Sequence, residues 1–190
     1  MPVLPLFREF TQWIMTDHPA QLPEQTVSRL YRAHARLRVA KRYDGIRLKG
    51  LSPTLVAGYS AGVRLLLSYS AAESMGGAIG RHITSWTIRH PEIVAPLRRI
   101  SKELKDWPVG LNNTVKAQLS DFVLEQHDNV RVPATALRHL MAHGHFAPAG
   151  KISLKKTEIA TIETLCDDLI AETERRFAAW FDGISGGEPR

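Results

Sequence analysis

Leu154–Asp182 reads LKKTEIATIETLCDDLIAETERRFAAWFD. Ile159, Ile162, Cys166, Leu169, Thr173, Phe177 and Trp180 recur there in steps of three and four. That period lays one apolar or small stripe along an α-helix, whereas a half-buried strand would alternate at every second residue. The stretch therefore predicts a long amphipathic helix with one face turned to a core.

The same period returns outward from it. Within residues 53–80, Leu55, Tyr59, Gly62, Val63, Leu66, Leu67, Ser70 and Met75 fall at three-to-four spacing, which predicts a central core helix. Ser52 then Pro53 make a cap followed by proline at the first helical position, and Gly76, Gly77 and Gly80 fray or end the helix. Residues 24–43 read as the first long helix, joined to the central one by a connector over 46–53. Pro91 opens a helix over about 91–106, which Trp107-Pro108-Val109-Gly110 breaks. Residues 112–127 form another, capped by Asn112 or Asn113, and Pro133 begins one over 133–143. A loop holding Gly144, Pro148 and Gly150 leads to the last helix. No stretch alternates as a strand, so the expected fold is an all-α bundle of five or six helices. Residues 1–50 read as a basic helix and connector, 51–182 as the bundle, and 183–190 as a disordered Gly/Ser/Pro tail.

Composition narrows the classes. The 190 residues are 44% apolar and 23% charged, which suits a globular domain and excludes general disorder. A single cysteine, Cys166, allows no intrachain disulfide and fits a reducing, cytoplasmic setting; its place on the apolar stripe makes it a small core residue rather than a nucleophile. The most apolar run, Leu55 to Leu67, is broken by Gly58, Ser60, Gly62 and Arg64, so no membrane span is expected. The N-terminus, with two prolines and no basic region, does not read as a signal peptide. No Gly-rich phosphate loop is present.

Charge is unevenly spread. Of the net +6, residues 1–50 carry nine Lys and Arg against four Asp and Glu, or +5. Arg29, Arg32 and Arg36 stand at i, i+3 and i+7, on one helix face, with Lys41 and Arg42 beyond them. Such a face can neutralise phosphates and bind RNA in a salt-dependent way; it can equally be a solvated surface that aids solubility.

Five of the eight histidines are scattered, at His18, His34, His82, His90 and His127. The other three crowd into Arg138-His139-Leu140-Met141-Ala142-His143-Gly144-His145. One reading is phosphate handling. Arg138 offers a permanently charged planar fork, and His143 a group that gains or loses a proton near neutrality. These two stand about 140° apart around a helix, so they do not share one narrow face. His139 lies at i, i+4 from His143 and can orient it. A second reading is a metal site using His139, His143 and His145, but no Glu follows His139 and no acidic ligand lies in the cluster. A third is structural, a histidine before Gly144 satisfying the end of a helix.

Arg138 to His143 resembles the Arg-x4–6-His motif of the HEPN superfamily (higher eukaryotes and prokaryotes nucleotide-binding). In that motif a polar residue follows the arginine, and His139 fills its place. The motif is expected near the start of a helix that precedes a long C-terminal one, as in HEPN bundles, and Ala61–Glu73 is similar to an earlier HEPN helix whose apolar run ends in an acidic residue. The resemblance covers roughly 51–182. It implies an up-down helical bundle and, in active members, a metal-independent endoribonuclease without a cofactor. His143 would transfer the proton as the ribose 2′-hydroxyl attacks the phosphate, leaving a 2′,3′-cyclic end. Arg138 would stabilise phosphate charge and His139 would support both. Beside the motif, Glu73 is read as a supporting carboxylate and His145, which is not part of the motif, as a further support. The resemblance also implies a homodimer pairing through the motif face, RNA as partner, and a setting such as toxin–antitoxin or phage defence, with an antitoxin protein as a further partner. A non-catalytic module binding RNA, a nucleotide or a protein is the alternative.

Overall fold

The computed structural model describes residues 4, 6–16, 22–105, 111–143 and 154–186. Among these it holds seven α-helices and one short 3-10 turn, with no strand. The helices are α1 (Phe7–Thr16), α2 (Glu24–Arg42), α3 (Pro53–Ala78), α4 (Pro91–Lys105), α5 (Asn113–Val123), α6 (Arg131–Ala142) and α7 (Lys156–Ile184), and the 3-10 turn spans Ile83–Ser85 between α3 and α4. The all-α bundle expected from sequence is therefore what the chain forms. The count exceeds the expected five or six because α1 precedes the helix taken as first. The last helix runs to Ile184, into the stretch read as a tail, and residues 187–190 lie outside the described residues.

Local chemistry accounts for the boundaries. Ser52 accepts a hydrogen bond from the Leu55 amide at 3.3 Å and Pro53 stands at the first turn, so α3 starts where one orphan donor is satisfied. Asn112 does the same for α5, accepting from the Val115 amide at 2.9 Å. Glu158 reaches back to the Lys155 amide at 2.8 Å and fixes the start of α7. At the other end of α3, the Arg81 amide donates to the Gly76 carbonyl and Gly80 takes φ +68°, a left-handed closure that glycine adopts without cost to a side chain.

Helix α3 is the central post. Arg29 and Arg36 of α2 reach Gly77, Ser70 and Ser74, while Arg64 donates to the Ala40 carbonyl, so α2 and α3 run antiparallel. Thr135 meets Tyr69, and Met141 lies where a side chain on Gly62 would go, so α6 is also antiparallel to α3. Helix α7 runs in the same sense as α3, which the intervening α4 to α6 allow. Arg64 pairs with Glu163 and Asp167 at one end, and Ile79 and Arg81 lie beside Arg175 and Trp180 at the other. Those two ion pairs explain a cation inside the apolar run of α3: its stem packs and its head is neutralised by α7.

One apolar cluster joins residues from Leu4 to Phe181. Trp86, Phe10, Phe122, Phe177 and Phe181 are fully enclosed in it. Cys166 is buried, and burial pushes its thiol up, so it stays protonated and inert. Among the described residues, no helix is long and apolar enough to cross a membrane.

Candidate functional site

Helix α6 opens after Asn129, whose side chain accepts from the Ile88 and Arg131 amides and donates to the Trp86 carbonyl. This clasp fixes the start of α6 against the segment following the 3-10 turn. Arg131, Thr135 and Arg138 then stand at i, i+4 and i+7, one face of the helix, opposite Tyr69 and Glu73 of α3. The Tyr69 hydroxyl and the Thr135 hydroxyl bond at 2.9 Å. Arg138 donates to Glu73 at 3.2 Å, and its guanidinium carbon lies 5.5 Å from the Tyr69 ring centre. Burial pushes the Tyr69 phenol up, which keeps it a neutral platform for the cation.

Arg138 is thus held from two sides. Its side chain keeps 30% exposure and Glu73 keeps 39%, so the ion pair is solvent-screened and contributes about 0–1 kcal/mol. Its value is orientation: the guanidinium is fixed at the surface with donors to spare.

His139 and His143 form a separate pair. Their ring centres are 4.7 Å apart with planes tilted by 52°, as the i, i+4 spacing requires. His143 stands at the C-cap of α6, its amide donating to the His139 carbonyl at 3.2 Å, and its side chain is exposed, so the Arg138–His143 stretch closes its helix rather than lying near the helix start as expected, because α6 already begins at Arg131. Along α6, Arg138 turns towards α3 while His143 stands about 7.5 Å further on at the helix end. His145 lies outside the described residues. Among the described residues, no group of three or more His, Cys, Asp or Glu side chains is arranged to hold a metal ion.

The basic residues of α2 divide. Arg29 donates to the Gly77 carbonyl at 3.0 Å, where it satisfies an end carbonyl of α3 and meets the negative end of the helix dipole. Arg36 donates to Ser74 at 2.6 Å. Arg32, between them, donates to the Ser28 carbonyl of its own helix at 3.3 Å. Lys41 pairs with Glu174 of α7 at 2.6 Å, and Arg42 is exposed with no ion pair among the described residues. Arg29 and Arg32 join Glu73, Ser74, Gly77 and His82 around an open groove of about 280 Å³. Glu73 is shared, since it lines this groove and accepts from Arg138. The fold therefore connects the basic face of α2 to the arginine of α6 through one carboxylate of α3.

Sequence reading missed Tyr69, Thr135, Arg131 and His82. The first two carry their signal in register: Tyr69 and Glu73 are i, i+4 on one helix, Thr135 and Arg138 i, i+3 on another. Arg131 carried none. It is only 4% exposed, its Nε has no partner among the described residues, and its Nη1 lies 3.5 Å from the Thr135 hydroxyl. Burial lowers its pKa accordingly. No family model, curated protein or solved structure matches the chain.

Proposed function

We propose that the chain is a metal-independent endoribonuclease of HEPN type that acts as a homodimer. The supporting observation is the held arginine: Glu73 and Tyr69 present Arg138 at the surface of α6, immediately before the close pair His139 and His143 and next to a groove lined by Arg29 and Arg32. In this reading the groove and α2 receive the RNA backbone. Arg138 stabilises negative charge on the scissile phosphate. His143 takes the proton from the ribose 2′-hydroxyl as that oxygen attacks phosphorus. The bond to the 5′-oxygen breaks, a proton returns to that oxygen, and a 2′,3′-cyclic phosphate and a 5′-hydroxyl result. His139 orients the ring of His143. Because Arg138 and His143 stand apart along one α6, two copies facing each other across a two-fold axis supply both groups to one phosphate.

Dialysed protein in EDTA is expected to cleave RNA to 2′,3′-cyclic ends. His143→Ala and Arg138→Ala are each expected to lower cleavage at least a hundredfold with helical content unchanged. Cleavage at the wild-type rate by both folded variants sinks the proposal. Sedimentation of the wild type is expected to give a two-chain mass; a monomer at the concentration where cleavage is measured removes the composite site.

A second reading has its own support. Arg138 already has an anionic partner in Glu73, as it would in a module that binds RNA or a nucleotide without turnover. Salt-sensitive RNA binding with no cyclic product distinguishes that module. A role as a toxin or defence protein with an antitoxin partner, and a cytoplasmic setting, belong to the first reading.

A further inference from the structure

The turn that closes α3 lines a second hollow. Ile79 and Arg81 of that turn meet Arg175, Arg176, Ala179 and Trp180 of α7 around a space of about 190 Å³. Ile79, Ala179 and Trp180 supply its apolar surface, and three arginines its charge. Two of those arginines are set in place by the protein. Glu172 accepts from Arg175 Nε at 2.8 Å and Nη2 at 2.7 Å, and from Arg176 Nε at 2.6 Å. The Arg176 guanidinium also lies over Trp86, 4.6 Å from the ring centre. Arg81 is exposed and has no ion pair among the described residues. Three guanidiniums against the one carboxylate that pairs with them leave an excess of two positive charges. Trp180 is steadied from behind by Phe10 and Phe177, each with ring centres 6.1 Å away.

A purely apolar ligand would leave those cations uncompensated, and a bare anion would leave the tryptophan side unfilled. A planar ring that carries a phosphate satisfies both: the ring packs on Trp180, Ile79 and Ala179, and the phosphate meets the outward donors of Arg81 and Arg175. We propose that this hollow takes one nucleotide unit, base against Trp180 and phosphate on Arg81 and Arg175. It uses none of Arg138, His139 or His143. The unit has two sources, a free mononucleotide or one residue of an RNA strand. The strand source rests on the ribonuclease or RNA-binding reading, and the fold gives it a route: Gly77 and His82, which flank Ile79 and Arg81 in sequence, line the groove beside Arg29 and Arg32.

The test titrates adenosine 5′-monophosphate, adenosine, inorganic phosphate and an uncleavable 2′-O-methyl RNA oligomer into the full chain, its Arg81→Ala/Arg175→Ala double variant and Trp180→Leu. Calorimetry reads binding, and circular dichroism checks folding. Expected is saturable binding of the monophosphate or the oligomer, at least tenfold tighter than adenosine or phosphate alone, and weakened at least tenfold in the folded double variant. Trp180→Leu is expected to weaken the monophosphate and leave phosphate unchanged. Binding of the monophosphate but not the oligomer identifies a free-nucleotide site; binding of the oligomer but not the monophosphate identifies a strand subsite; both uphold the hollow. No binding of either, or equal binding by wild type and a folded double variant, overturns it. His143→Ala keeps the two proposals apart: monophosphate binding equal to wild type in that variant, whatever its cleavage, leaves the hollow standing on its own.

Discussion

Asp168 holds His90 Nδ1 at 2.8 Å where α4 meets α7, and Glu92 lies 3.6 Å from the other ring nitrogen. The Asp168 hydrogen bond raises the His90 pKa above its ordinary value, so folding favours the imidazolium. That stabilisation is complete below the unfolded value of about 6.5 and is lost as pH climbs through the higher folded one. His34 behaves oppositely. Its ring stacks on Phe7 with centres 3.9 Å apart, its Nδ1 is buried without a partner among the described residues, and burial, aided by Arg38, lowers its pKa. It stabilises the fold above about 6.5 and loses that contribution as pH falls through its lower folded value. His90→Gln is therefore expected to lower Tm against wild type at about pH 5.5, with the gap closing by about pH 8.5. His34→Leu is expected to gain on wild type as pH falls over the same range. Thermal melts across that range check both signs, and parallel curves for all three proteins refute them.

The end of α3 and the turn that closes it serve both hollows, since they carry Gly77 and His82 on one and Ile79 and Arg81 on the other. The tight return is made possible by Gly76. A Cβ there would stand 2.7 Å from the Arg81 carbonyl oxygen and 3.0 Å from the Ile83 nitrogen, both backbone atoms with nowhere cheap to move. Gly76→Ala is expected to cost about 1–3 kcal/mol, read as an earlier denaturant midpoint. Gly77→Ala is the control, because its nearest neighbour is the flexible head of Arg29 at 3.6 Å. It is expected to be neutral or up to about 1 kcal/mol stabilising through helix propensity. Equal losses in the two variants would mean that helix-end flexibility, rather than the close approach of the turn, sets the requirement for glycine. Helix α1 shows the reverse dependence. Ten residues are too few for a stable isolated helix, and Phe7 and Phe10 gain their burial from Phe177 and Phe181 of α7, a contact some 170 residues away in the chain.

Across the molecule, the formal +6 is concentrated in the first fifty residues, and folding lays part of that excess along α3. If Arg29, Arg32 and Arg36 each meet one phosphate of a single strand, log K is expected to fall by about 2 per tenfold rise in salt. Arg32→Ala is expected to reduce that slope by about 0.7, since Arg32 lines the groove and, among the described residues, bonds only within its own helix. Affinity measured at several salt concentrations checks this, and an unchanged slope in the variant takes Arg32 off the strand. Arg29 and Arg36 are poorer probes because both also tie α2 to α3.

Much of this architecture was legible in the chain. Periodicity marks α2 and α4 to α7 because each buries one stripe, and periodicity is a local property of the order of residues. In α3 the spacing marks Leu55, Tyr59, Leu66 and Ser70, yet α2, α6 and α7 enclose that helix from several sides and its fully buried positions include Ala61, Leu65, Ala71 and Ala72 instead. Caps were legible because they are local too: Ser52 and Asn112 act within three residues of themselves. The cluster from Arg138 to His143 stood out because its members are neighbours. What lay beyond reach depends on distance through space between residues remote in sequence. The grip of Glu73 and Tyr69 on Arg138, the orphaned Nε of Arg131, the diversion of Lys41 to Glu174 and the meeting of α2 with the turn after α3 all arise where packed helices set the register. A stripe of apolar residues says that a helix has a buried face. Which helix covers that face, and at what height, is decided by how the side chains of both fit, and that fit exists only in the assembled core.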